Sequence, residues 1–325
     1  MEPNGGLVRL IAMHSYPCDS YGLVRRSVLL GMGLSDNQIA DAVRRGLLIR
    51  VYPGVLVAPS ASFDGHEGAQ RLHRMTAIAV ATSGLSTSDS PLPLCHATAA
   101  AFHGIPLLKP DIARVHVTTG GRSGGAVHRY RHLHAAPFDP AEVTVVDGIA
   151  VTTIERTAVD VAAQGVFAQA LTAFDQAIRM GGDVEVMGDI LESRRRVGVR
   201  VARRALACAN GLSESVGESW SRAQMIEAGL PVPRLQHRFH CPSGSYHTDF
   251  DWDEALIGEF DGLHKYGRLL RPGETAEHAV VREKLREDEL RATDAHFVRW
   301  TWAHLESDTV VALLKPRLKR LGLCA

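Results

Sequence analysis

Four carboxylates crowd into two short segments, Tyr246-His247-Thr248-Asp249-Phe250-Asp251-Trp252 and Ala255-Leu256-Ile257-Gly258-Glu259-Phe260-Asp261-Gly262. Acidic residues are poor strand formers, so four of them on two strands need a reason. Alternate side chains share one face of a strand, so Asp249 and Asp251 point together, as do Glu259 and Asp261. If the loop between the strands is the three residues Asp253–Ala255, Asp249 falls opposite Glu259; a two-residue loop sets them on opposite faces. Carboxylates opposed across a ladder repel unless a cation lies between them, and hard oxygen ligands of this kind suit Mg2+ or Mn2+. Spacing alone leaves two readings open: a metal site at Asp249 and Glu259, or a polar edge strand facing solvent.

Other residues offer weaker chemistry. Ser215 and Glu218 form a capping-box signature ahead of a helix in which Trp220, Ala223 and Met225 or Ile226 pack; Glu218 is then a cap partner or the salt-bridge partner of Arg222. The run from Arg282 to Arg291, dense in both signs, reads as a solvated helix face laced with ion pairs. Arg196, Arg200, Arg203 and Arg204 follow helical spacing, but Gly198 interrupts the pattern, so a solvated face is again expected. His128, His132 and His134 invite a metal, yet no thiolate or carboxylate lies close by in the sequence, and they read as a basic strand or loop. Thr118–Gly125 lacks the spacing of a phosphate-binding P-loop and reads as a flexible loop. The cysteines (Cys18, Cys95, Cys208, Cys241, Cys324) are odd in number, scattered and never CxxC, which predicts neither a disulfide framework nor a zinc site and fits a reducing cytosol.

These residues must be positioned by a chain of 325 residues with 45% hydrophobic and 22% charged residues, a length that excludes a single small domain. No apolar run approaches the roughly 18 residues that span a bilayer, and the opening MEPNGGLVRLIAMHSYP lacks the basic start and long apolar stretch of a signal peptide, so a soluble, cytoplasmic protein without membrane association is expected. The 36 basic and 36 acidic residues cancel, which argues against a nucleic-acid partner until the chain is divided. Residues 1–58 carry 6 basic and 4 acidic residues, whereas 213–325 carry 15 and 18. A basic head beside a carboxylate-rich end is the sign that a DNA contact and a cation site produce together.

The periodicity predicts a helix over Tyr21–Met32, a Gly turn, and a second helix beginning at Ser35, with Gln38 as capping-box partner and Ile39, Val43 and Leu47 facing inward. Leu48–Tyr52 and Val55–Val57 then flank Pro53-Gly54, a strand–turn–strand signal. Helix, turn, helix and hairpin make a winged helix-turn-helix pattern. Asn37, Gln38, Asp41, Arg44 and Arg45 lie off its apolar stripe and are the side chains able to reach a groove, while Arg50 on the wing is suited to phosphate. A winged module used for protein contact is the other reading of this head. Residues 59–160 mix helix and strand, with a helical stretch Cys95–His103, strands at Ala113–Val117 and Val143–Val146, and a helix after Thr153. Residues 166–209 are mainly helical, and 213–325 read helix, loop, two strands, loop, charged helix, strand (Phe297–Trp302) and closing helix (Asp308–Leu321). The expected fold class is multidomain α/β: a winged helix-turn-helix (1–58), an α+β region (59–165), a helical connector (166–212) and a mixed α/β domain (213–325).

The ordered set Glu218, Gly229–Gln236, Asp249, Glu259-x-Asp261-Gly262, Lys265-Tyr266-Gly267 and Glu283-Lys284-x-x-Glu287-Asp288 resembles the Vsr-like branch of the PD-(D/E)XK nuclease-like superfamily over about residues 213–305. The resemblance implies a restriction-endonuclease-like domain in which Asp249 and Glu259 hold Mg2+ or Mn2+, Glu218 supports the metal or water, Gln236 orients water, and Lys265 or Lys284 contacts the scissile phosphate. Asp261 stands where the superfamily pattern has Lys, a departure that puts cutting in question. The head, together with Leu94–Ala100, Val151–Asp160, Gly46-Leu47 and Tyr52-Pro53-Gly54-Val55, resembles the AbiEi-type antitoxin family over about residues 10–165. That implies a DNA-binding head that represses its own toxin–antitoxin operon, with a cognate toxin as partner. Two functions are therefore expected to compete: a Mg2+-dependent DNA endonuclease linked to toxin–antitoxin systems or phage defence, and a non-catalytic antitoxin and autorepressor with a degenerate nuclease fold.

Overall fold

A computed structural model describes residues 16–84, 86–87, 90–193, 198–262 and 275–324. The chain divides into two compact units, Met1–Gly104 with Pro110–Thr157, and Ile105–Lys109 with Ala158–Ala325. It is a mixed α/β protein with several small sheets. No helix among the described residues is long and apolar enough to cross a membrane.

The first unit opens with β1 (Val24–Arg25), α1 (Arg26–Gly31), α2 (Asp36–Arg44), β2 (Ile49–Tyr52) and β3 (Val55–Val57). The first helix is shorter than the periodicity predicts. Asp19 captures the amide N–H groups of Tyr21 and Leu23 on Oδ1, each at 3.0 Å, which bends the chain before a helix can start. Val24 and Arg25 then pair with Leu56 and Val55 as an edge strand. The second helix begins as expected: the Ser35 N–H donates to Gln38 Oε1 at 2.7 Å and the Gln38 N–H to Ser35 Oγ at 3.3 Å. The hairpin is buried on both sides. Leu48 and Leu56 join Leu29, Leu34, Ile39 and Ala42 under the helices, while Val51, Val55 and Val57 join a second core.

That second core is built by α3 (Gly65–Ala81), α4 (His96–His103), β6 (Val115–Thr118), β8 (Arg131–His134), β9 (Val143–Val146) and β10 (Ile149–Thr152); the short strands β4 (Ser86–Thr87), β5 (Ser90–Pro91) and β7 (Ala126–Val127) complete the set. β6 runs parallel to β8, with His116 beside His132 and Thr118 beside His134. Leu94 bridges to Val117 on β6 and to Val151 on β10, which fixes the residue after it, Cys95, at the head of α4.

The second unit contains most of α5 (Ile154–Gln164), then α6 (Phe167–Arg179), α7 (Val184–Glu192), α8 (Val199–Cys208) and α9 (Val216–Glu227). Phe167, Leu171 and Phe174 are buried along α6 as their spacing predicts. A four-stranded sheet follows in the order β11 (Arg234–Cys241), β12 (Gly244–Trp252), β13 (Leu256–Asp261) and β14 (His296–Thr301); the first two pairings are antiparallel and the last parallel. A strand, β11, precedes the two that the sequence predicts. Its residues alternate only weakly, and Gln236 in its middle has the positive φ of 50° that a regular strand avoids. One sheet face packs Phe250, Trp252, Phe260 and Trp300 against α9, α11 (Trp302–Glu306) and α12 (Val310–Arg320). The other packs Ile257 against Leu290 of α10 (Ala276–Arg291).

Candidate nucleic-acid interface and acidic row

The head presents the polar side of α2. Asn37, Arg44 and Arg45 are exposed, and Gln38 is half-buried with its amide oxygen used by the helix cap. Arg44 and Arg45 both pair with Asp41, at 3.1 and 3.7 Å, while remaining 74% and 66% exposed. Exposed pairs of this kind contribute roughly 0–1 kcal/mol, so a phosphate can replace Asp41 at little cost. Arg50 is exposed on β2.

In the second unit the loop between β12 and β13 is the three residues Asp253, Glu254 and Ala255, since Trp252 pairs with Leu256. Asp251 holds this loop: its Oδ1 accepts the Glu254 N–H at 3.0 Å, and its Oδ2 is ion-paired with Arg234. Fully buried, Asp251 is a turn clamp. Asp253 and Glu254 take positive φ values of 52° and 58°, a conformation that Asp accepts more readily than most residues. Continued one residue beyond the Phe250–Gly258 pair, this register brings Asp249 to Glu259. Glu259 pairs in turn with Arg299 on β14. Asp249, Glu259 and Arg299 thus follow one another across β12, β13 and β14, whereas Gln236 turns to Glu218 on α9.

Asp249, Glu259 and Glu218 each have a partner. Asp249 Oδ2 accepts the Phe260 N–H at 2.9 Å. Glu259, 7% exposed, gives Oε1 to Arg286 and Oε2 to Arg299 at 3.2 Å. Glu218 is buried on α9, where Oε1 accepts from Ser215 Oγ at 2.8 Å and Oε2 from the Glu214 N–H at 2.7 Å; Gln236 Nε2 reaches Oε2 at 3.4 Å. Arg222, the alternative partner of Glu218, pairs instead with Asp175 of α6 at 2.6 Å. Asp261 is half-buried at the end of β13.

The cations brought to Glu259 are Arg286 and Arg299, in place of the Lys265 or Lys284 that the resemblance implies. Lys284 is exposed on α10, two residues and so about 200° around the helix from Arg286. Lys265 lies outside the described residues. As arranged, Asp249 and Glu259 do not fit a divalent ion. Two guanidinium groups already neutralise Glu259, and among the described residues no three acidic side chains bring ligand atoms within 4.8 Å of one another.

The basic stripe and the histidines resolve differently. Arg200, Arg203 and Arg204 are exposed on α8, with Arg204 over the Phe167 ring and Arg203 donating to the Leu191 carbonyl at 2.9 Å; Arg196 lies outside the described residues. His132 and His134 do not stand in a merely basic strand. The fold brings Cys95, His96 and His116 to them, a proximity invisible along the chain because the residues lie on separate elements. Burial, the larger cause, and the charge of Arg114 and His132 push His116 below its ordinary value, against the opposing pull of Asp111.

Residues 93–208 match the family described as AbiEi antitoxin C-terminal domain. The chain is also 30% identical over 235 residues to "Uncharacterized protein MT2308" of Mycobacterium tuberculosis (strain CDC 1551 / Oshkosh), covering 71% of this chain and 79% of the relative. "Uncharacterized protein Rv2248" of Mycobacterium tuberculosis (strain ATCC 25618 / H37Rv) matches with the same identity and coverage. The chain belongs to the family of these two mycobacterial proteins, and its residues 93–208 are similar to the AbiEi antitoxin C-terminal domain.

Proposed function

We propose that the protein is a cytoplasmic, antitoxin-type DNA-binding regulator that represses its own promoter, is paired with a cognate toxin, and uses its C-terminal domain as a binding platform. The AbiEi antitoxin domain supports the antitoxin class. The helix, turn, helix and hairpin of the head support a winged helix-turn-helix, with Asn37, Arg44 and Arg45 on the groove-facing helix and Arg50 on the wing. In the C-terminal domain the order helix, three antiparallel strands, helix and parallel strand supports a restriction-endonuclease-like fold. The observation that carries the platform reading over an enzymatic one is the capture of Glu259 by Arg286 and Arg299.

Metal-dependent cleavage of DNA phosphodiesters is the second reading. The opposition of Asp249 and Glu259 in register favours it, and it requires the two arginines to give way to Mg2+ or Mn2+.

The test measures binding to the DNA upstream of the protein's own coding region by fluorescence anisotropy across a salt series. Arg44→Ala and Arg45→Ala are expected to weaken binding and to lower the salt slope by about one unit each. In parallel, supercoiled, linear and single-stranded DNA are incubated with Mg2+, Mn2+ or EDTA. Metal-dependent cutting that disappears in both Asp249→Ala and Glu259→Ala establishes the nuclease and overturns the platform. Intact binding without cutting establishes the regulator.

A further inference from the structure

We propose that the first unit holds a transition-metal site of the zinc class, formed by Cys95 Sγ, His96 Nδ1 and His134 Nδ1, with the fourth tetrahedral position open to water. The potential ligand atoms of Cys95, His96 and His134 lie within 4.8 Å of one another, and those of His116, His132 and His134 form a second such set. His134 belongs to both. Cys95 Sγ is 3.1 Å from His96 Nδ1; the His96 and His134 rings stack with centroids 3.8 Å apart, so the His96 ring must turn for both in-plane lone pairs to meet one ion.

The hydrogen bonds select the nitrogen. His116 Nε2 lies 3.1 Å from the Asp111 carbonyl, which can only accept, so Nε2 carries the hydrogen and Nδ1 of the neutral ring accepts. The group that donates to it is His134 Nε2, at 2.8 Å. This places the lone pair of a neutral His134 on Nδ1. Metal-ligating histidines are held in this way, with the far ring nitrogen donating to an oriented acceptor. Here the acceptor is His116, itself fixed by a backbone carbonyl. A thiolate with two imidazoles selects Zn2+ and its soft neighbours over Mg2+ or Ca2+.

The backbone supplies an independent sign. His96 has φ +51° at the first position of α4, a conformation that is strained for a non-glycine residue and tends to persist at functional sites. Cys95 and His96 follow the Leu94 bridge, and His134 ends β8, so an ion here would clasp the start of α4 to the sheet. Cys95 is fully buried and His96 is 8% exposed, while His134 is half-buried and gives the ion a way in.

The experiment uses the full chain, stripped with chelator and titrated with Co2+ and then Zn2+. One equivalent of Co2+ should give the visible bands of a tetrahedral ion and a near-ultraviolet thiolate band, both displaced by Zn2+. Zn2+ should raise the melting midpoint of the unaltered protein, a readout that needs no variant. Cys95→Ser should lose the thiolate band. His134→Gln, which removes the shared member, should weaken Zn2+ binding at least ten-fold, with circular dichroism and the metal-free midpoint confirming the fold. His128→Ala, outside the cluster, should bind as the unaltered chain does. An octahedral Co2+ spectrum, a thiolate band that survives in Cys95→Ser, or Zn2+ affinity unchanged in His134→Gln would each overturn the site.

Discussion

Glu259 Oε2 lies 3.2 Å from Nη2 of Arg299, its directly paired neighbour on the parallel strand β14. Arg286 reaches the other oxygen from α10 and also donates to the His247 carbonyl at 3.0 Å. The Glu259 side chain is only 10% exposed, so its charge depends on these partners. Arg286→Ala should cost about 2–3 kcal/mol of stability, because it strands a largely buried carboxylate. Arg299→Ala should cost less, since that side chain is 34% exposed and water can take its place. Urea denaturation at constant m-value measures both. Mg2+ should leave the midpoint of the unaltered protein where it is; a rise with Mg2+ would show that the arginines yield to a cation.

Two glycines separate packing from helix propensity. A Cβ at Gly217 would come within 2.0 Å of Phe260 Cε1, so α9 lies on β13 only because this residue has no side chain. Gly217→Ala should destabilise by about 1–3 kcal/mol through overpacking, and should shift the adjacent Glu218 from its cap. A Cβ at Gly188, within α7, meets nothing within 4 Å. Gly188→Ala should therefore stabilise by about 0.5–1 kcal/mol through backbone entropy. Equal effects of one sign at both positions would contradict the packing of α9 on the sheet.

Asp175 and Arg222 form a buried pair that ties α6 to α9. Asp175 Oδ1 also accepts the Asn210 N–H at 2.7 Å, and Arg222 Nη2 donates to the Cys208 carbonyl at 2.7 Å. Burial raises the Asp175 pKa, and Arg222 pulls against that rise. Asp175→Ala should cost about 3–5 kcal/mol by leaving a buried guanidinium uncompensated. The double variant Asp175→Leu with Arg222→Met should cost less than the two single changes together, since it leaves no buried charge behind.

Local signals were legible where one element contains them. Ser35 with Gln38 and Ser215 as the cap of α9 read directly because a cap involves residues three apart, and the loop at 253–255 was one of two explicit alternatives. What escaped depends on chain-distant neighbours. Arg299 meets Glu259 through a parallel strand that follows a charged helix, and no short-range pattern states that pairing. Cys95 and His116 reach His134 through the Leu94 bridge and the β6 to β8 register, so no thiolate stands near His134 along the sequence. The first helix failed for a local reason: the Asp19 side chain competes for backbone N–H groups that apolar periodicity assigns to a helix.

His73 lies on α3, 5% exposed, with Nε2 3.0 Å from Thr98 Oγ1. Thr98 Oγ1 also accepts the His116 backbone N–H at 2.9 Å. Burial is the largest cause, and the charge of His116 the next, of a His73 pKa lowered to about 4 from an unfolded value of 6.5. Between those values the unfolded chain binds the proton and the folded chain does not, so stability rises with pH through this window and levels off above it. The stabilisation is lost as pH falls, with a full amplitude of ~3 kcal/mol for this residue. His116, also lowered, acts with the same sign. Urea denaturation in the presence of chelator from about pH 4.5 to 7.5 should show the slope, and His73→Gln should flatten it while keeping a polar partner for Thr98. A profile as steep in His73→Gln as in the unaltered chain would place the titrating groups elsewhere.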